Sequence, residues 1–133
     1  MTECIFCRIV AGEAPAFVVA HDERTVAFLD RGPATQGHTL VVPRTHARDI
    51  WEISVDDATA VMVMAKRVAQ LLDDRLEPEG LNLTQANRPA GWQEVFHFHL
   101  HVIPRWSGDG LVAPWRPGSP SDEQLAATLA RLG

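Results

Sequence analysis

The chain has no apolar run of the roughly 18 residues that a membrane-crossing helix needs. Its opening, MTECIFCRIV, holds neither a basic leader nor an extended apolar stretch. A membrane partner and a signal peptide are therefore not expected, and the cytoplasm is the default location. Positive charge is not in excess: 12 Lys and Arg against 17 Asp and Glu leave a net charge of −5. That balance argues against a nucleic-acid binder, which needs a basic stripe, while leaving room for an anion site in one cleft. Cysteine is scarce, with only Cys4 and Cys7 in the spacing C-x-x-C. In a reducing compartment such a pair is half a metal site, a redox pair or two small buried side chains. Repeats, low-complexity tracts and linkers are also missing, and 133 residues suit one domain around one core.

What is present reads as strands and helices in mixed order. FVVAHD (17–22) and TVAFLD (25–30) are β-prone and form a hairpin, and HTLVVP (38–43) is a strand stopped by Pro43. The clearest helix spans 55–76, with Ser54 as N-cap, Asp57 three residues on, and Val61, Met64, Val68 and Leu71 as its apolar stripe. LNLTQAN (81–87) alternates as a strand, and SDEQLAATLARLG offers a terminal helix with Leu125, Leu129 and Leu132 on one side. Helices beside hairpin-linked strands, without βαβ alternation, predict an α+β single domain with a mainly antiparallel sheet.

The segment VFHFHLHVIPRW carries three of the six histidines at alternate positions. As a strand it puts Phe96, Phe98, Leu100 and Val102 on one face, and His97, His99, His101 and Ile103 on the other. A merely wet face is better served by Thr, Lys or Glu. A catalytic metal needs about three protein ligands, but H-E-x-x-H is absent and a further ligand would have to be His38, His46, Asp30 or Glu94. The third reading is nucleophilic catalysis. A neutral imidazole attacks phosphorus, and its neighbours bind phosphate oxygens and protonate the leaving group.

HFHLHVIPR resembles the His-x-His-x-His signature of the histidine triad family of nucleotide hydrolases and transferases. CIFCRIVAGEAPAFVV, VAFLDRGPATQGHTLVVPRTH and GLNLTQANRPAGWQEVFHFHLHVIPR are similar, in order, to blocks of its Hint-like branch, covering about residues 3–106. The resemblance implies a five-stranded sheet with one long and one or two short helices. It also implies a homodimer and a purine nucleotide substrate, a phosphoramidate or an adenylate. By the same resemblance His99 is the nucleophile, His101 contacts phosphate and leaving group, and His97 and His38 support the cluster. Asp30 binds the ribose hydroxyls, Phe28 walls the base pocket, and Asn87 and Gln93 lie near the phosphate. Taken alone, His38 reads equally as a polar strand start, Asp30 as a loop cap and Phe28 as core. A dinucleoside polyphosphate hydrolase and a nucleotide-binding regulatory protein with residual catalysis are the alternatives. No catalytic metal or organic cofactor is required.

The resemblance also implies a structural zinc held by Cys4, Cys7, His46 and His97. A thioredoxin-like role is disfavoured because CIFC does not follow a strand-then-helix pattern. Two departures stand out: Glu94 replaces the serine of a Gly-Gln-Ser-Val pattern, and Arg31 replaces a commonly apolar residue beside the base pocket. A carboxylate facing inward at Glu94 would repel phosphate unless protonated or paired. Residues 107–133 form an extension without a transferable motif. Trp106 and Trp115 are candidates there for covering the nucleotide or meeting a partner subunit.

Overall fold

The structure, a computed structural model, describes residues 3–133. Five strands form one antiparallel sheet: β1 (Val18–His21), β2 (Thr25–Leu29), β3 (Thr39–Pro43), β4 (Gly80–Gln85) and β5 (Leu100–Arg105). Their order across the sheet is β1-β2-β3-β5-β4. Three helices accompany them, α1 (Ile5–Val10), α2 (Val55–Leu76) and α3 (Asp122–Leu132). The α+β single domain expected from the sequence is the one observed.

β2 and β3 are apolar at nearly every position because both of their faces are covered. Ala27 and Val41 point toward α2 and join Val61, Met64, Ala65, Val68, Leu72, Phe98, Leu100 and Val102. The alternate residues Val26, Phe28, Leu40 and Val42 point the other way and pack with Phe6 of α1. Each such fully buried aliphatic or aromatic side chain contributes about 1.5–3 kcal/mol of transfer free energy. α2 therefore anchors one face, and the other is left for α1 and the histidines.

α2 starts where expected, with Ser54 Oγ accepting the Asp57 N–H at 3.1 Å. Its buried stripe closes on Leu72 rather than Leu71, which is 37% exposed. A period of 3.6 residues from Val61 through Met64, Ala65 and Val68 carries the stripe to residue 72. The loop 31–37 returns across the end of this helix. Gly37 (φ +88°) lies so close that a Cβ would sit 2.6 Å from Leu76 Cδ1. Glycine here lets the chain enter β3 directly after His38.

The histidine segment departs from its expected form. The ladder begins only at Leu100, and residues 95–99 are a bent approach in which the Phe98 N–H donates to Ala47 O at 2.7 Å. The inward–outward alternation still runs from His97 to Val102, but Phe96 falls outside it and is 46% exposed. It does not anchor the core, because no strand lies beside it to cover it. α1 is the second of the short helices that the resemblance implies, although the residue pattern does not place it. Cys4 caps it by accepting the Cys7 N–H, and Phe6 and Ile9 face the sheet. α3 is capped reciprocally by Ser121 and Gln124 as a capping box, yet none of its residues is buried.

Candidate active site

Register places the site. Leu40 of β3 lies opposite both Phe28 of β2 and His101 of β5, so these three share the face away from α2. His99 and His97 extend that line, and the Phe6 ring meets both edge-on, at 5.1 Å and 5.9 Å between centroids. The histidine face is thus buried under α1 rather than wet: His97, His99 and His38 are all buried. Phe6, which has no role in the sequence reading, is the side chain that covers His97 and His99. Its only sequence signal is an apolar position between two cysteines, which does not distinguish a covering side chain from ordinary core.

Each ring has one nitrogen committed to a partner, and the partners dictate the tautomers. The Ala34 N–H donates to His38 Nδ1 at 3.0 Å, so His38 carries its proton on Nε2. That Nε2–H donates to His101 Nδ1 at 2.9 Å, which leaves the His101 proton on Nε2. His99 Nδ1–H donates to the His97 carbonyl at 2.7 Å, leaving a lone pair on His99 Nε2. His97 Nε2–H donates to Pro43 O at 2.8 Å, leaving a lone pair on His97 Nδ1. Burial pushes all four below the ordinary imidazole range, His97 and His101 to about 4, so the rings are neutral near pH 7.

His99 and His101 open on a cavity of about 680 Å³, a size suited to a small ligand. Phe6, Ile9, Ala16, Phe28 and Leu40 give it an apolar wall, and Asp30, Arg31, Trp92 and Glu94 line its polar parts. Asp30 accepts the Gly32 N–H at 2.8 Å through Oδ1, while Oδ2 lies 3.5 Å from His38 Nε2. Glu94 lies on the cavity wall and makes no hydrogen bond or ion pair with any described residue.

Asn87 and Gln93 are not brought to this wall. Asn87 exchanges bonds with Gln85 and accepts the Ile50 N–H at 2.7 Å, which ties β4 to the 49–51 turn. Gln93 donates to Arg48 O (2.6 Å) and Val95 O (3.1 Å) and accepts from Arg88 N (2.7 Å). Both amides are spent bracing the loop that delivers the histidines. Trp106 and Trp115 do not line the cavity either, and Trp115 is exposed.

On the other side of His97 four donor atoms converge, from Cys4, Cys7, His46 and His97, all within 4.8 Å of one another. The two Nδ1 atoms are 3.1 Å apart, and sulfur–nitrogen separations are 3.4–3.5 Å. Tetrahedral zinc with ordinary bond lengths requires about 3.3 Å and about 3.6 Å for these edges. The donor set therefore fits a closed two-sulfur, two-nitrogen site. The Pro43 carbonyl supplies the outer bond that orients a metal-binding imidazole. Burial and the adjacent Cys4 push the Cys7 thiol up to about 11, a preference that a divalent cation reverses by stabilising thiolate.

Known proteins resemble this chain in both sequence and fold. A family model described as the HIT domain matches residues 11–108. A Bacillus subtilis relative named Protein hit is 42% identical over 134 residues, covering 96% of this chain and 92% of its own. Adenosine 5'-monophosphoramidase hnt1 of Schizosaccharomyces pombe is 34% identical over 125 residues, covering 93% and 91%. The crystal structure of a HIT family member from Bacillus subtilis matches with a TM-score of 0.92 at 36% identity, over 98% of this chain and 95% of that one. A Zn-bound histidine triad protein from Mycobacterium smegmatis matches with a TM-score of 0.79 at 38% identity, over 97% and 94%.

Proposed function

The chain belongs to the histidine triad (HIT) family, and from that premise we propose that it hydrolyses purine nucleoside phosphoramidates or adenylates through a nucleotidyl-histidine at His99. The observation that carries this reading is the free lone pair on His99 Nε2, which the bond to the His97 carbonyl enforces. In the first step Nε2 attacks the α-phosphorus, a new N–P bond forms, and the bond from phosphorus to the leaving amine or acyl oxygen breaks. His101 Nε2–H donates to a phosphate oxygen or to the departing group, and His38 holds His101 in the tautomer that can do so. In the second step water attacks the same phosphorus and gives its proton to His101 Nε2, the bond from phosphorus to His99 breaks and returns the lone pair, and the nucleoside monophosphate leaves. Asp30 takes the ribose hydroxyls with its two acceptor oxygens, and Phe28 flanks the base.

Cys4, Cys7, His46 and His97 hold a structural zinc in this reading, supported by the donor spacing and by the Zn-bound relative. Bound there, zinc fastens α1 to the strand approach. His97 then serves catalysis through its carbonyl rather than its ring. The protein acts in the cytoplasm as a homodimer. Two cysteines that stand outside any disulfide support the first. The free edge of β4, with Leu83 exposed, supports the second.

His99→Ala and His99→Gly are expected to lower turnover of adenosine 5'-phosphoramidate by roughly four orders of magnitude or more while nucleotide still binds. Full activity in either variant overturns the assignment. Efficient cleavage of dinucleoside polyphosphates in preference to phosphoramidates would favour the polyphosphate reading instead.

A further inference from the structure

The cavity wall contains a single Lys or Arg side chain, Arg31. It follows Asp30 directly in the chain, yet it makes no ion pair with that carboxylate or any other among the described residues. Its guanidinium instead lies over the Phe17 ring, 5.6 Å from the centroid, and Nη2 donates to Pro15 O at 3.4 Å. Those two contacts hold it against the segment 14–17, part of which forms the apolar wall with Ile9 and Phe28. Among the described residues only one of the five guanidinium N–H groups is engaged in a hydrogen bond, and the cation–π contact with Phe17 uses none of the others.

We propose that Arg31 reads the base and makes this site select 6-oxopurines, guanine or hypoxanthine, over adenine. The inference rests on the nucleotide reading above. With phosphorus at His99 and ribose at Asp30, the base is left to the apolar wall where Arg31 is held. Guanine and hypoxanthine present two acceptors side by side, O6 and N7, which match two N–H groups of one guanidinium. Adenine presents N7 beside the N6 amino group, so one guanidinium N–H meets another donor. A neutral apolar pocket would stack either purine equally, so discrimination has to come from a polar group of this kind. Because Arg31 is exposed, the effect belongs at the low end for such a pair, about tenfold.

The test measures kcat/KM for guanosine, inosine and adenosine 5'-phosphoramidates with the wild-type protein and with Arg31→Ala. It also measures GMP and AMP binding by calorimetry with His99→Ala and with the His99→Ala, Arg31→Ala double variant. Guanosine and inosine should exceed adenosine by about tenfold, and Arg31→Ala should bring the ratio toward one. Equal turnover of the purines by the wild-type protein, or a ratio that Arg31→Ala does not move, overturns the base assignment and leaves the reaction standing. Arg31-dependent preference for GMP in binding, with no turnover of any phosphoramidate, overturns the reaction and keeps the base assignment. Absence of both turnover and nucleotide binding overturns both.

Discussion

Two clusters of imidazole flank His99, and they are wired in opposite senses. In the pair His38 and His101 one ring's proton points at the other's lone pair, so the cluster is closed by a hydrogen bond. In the group around His97 the lone pair of His97 Nδ1 is turned toward two sulfurs and a second nitrogen, so the cluster is open at its centre. The residue type is the same in both. What differs is the backbone group on the far nitrogen: an N–H from Ala34 in one case and a carbonyl from Pro43 in the other. A histidine's role here is set by that outer partner.

The most disruptive way to break this comparison is to empty the open cluster. Protein purified without chelator should contain about one zinc per chain. Cys4→Ser with Cys7→Ser should lose it and lower Tm by roughly 10 °C, since metal-binding energy is folding energy. Metal analysis and calorimetry check this, and a full-strength Tm without zinc would sink the assignment. A smaller effect is expected in the closed cluster. His38→Ala removes the donor to His101 and should lower kcat about 10²-fold with KM nearly unchanged and zinc content intact. Loss of zinc in that variant would mean the two clusters are not separate devices, and an intact kcat would remove His38 from the reaction.

The smallest effect is on stability against pH. Burial holds His101 at about 4 and His38 below its ordinary value, whereas the unfolded chain titrates near about 6.5. Between those values the unfolded state binds more protons, so stability rises as pH increases from about 4 to about 6.5. Urea midpoints of the Cys4→Ser, Cys7→Ser protein, where acid release of metal plays no part, should be lower at pH 5 than at pH 7. Adding His101→Gln should reduce the difference without abolishing it, because buried His97, His38 and His99 shift in the same sense, and an unchanged slope would assign the protons elsewhere.

Much of this was legible in the chain. The alternation of HFHLHV carries the division into an apolar face and a histidine face, and Ser54 with Asp57 marks the start of α2 correctly. The limits are physical. Alternation looks the same whether or not a neighbouring strand is present, so residues 96–99 read as ladder although only residues from Leu100 onward find partners. The same alternation puts Phe96 on the apolar face, where no neighbouring strand covers it. Asn87 and Gln93 sit in the right loop, but a primary amide can face a ligand or a backbone, and local sequence carries no information about which. The tautomers depend on the Ala34 N–H, which acts on His101 through His38, 63 residues away from it, and on the Pro43 carbonyl, 54 residues from His97, and neither Ala34 nor Pro43 looks functional as a side chain.

His97 has its ring in one cluster and its carbonyl under the nucleophile. Where two devices would ordinarily have separate fastenings, this chain has one pin. A library that randomises residues 96–101 has to hold position 97 constant, because a change there reaches both the donor cluster and the seat of His99. A chain that changes the donor cluster at position 97 has to rebuild the seat of His99 at the same time.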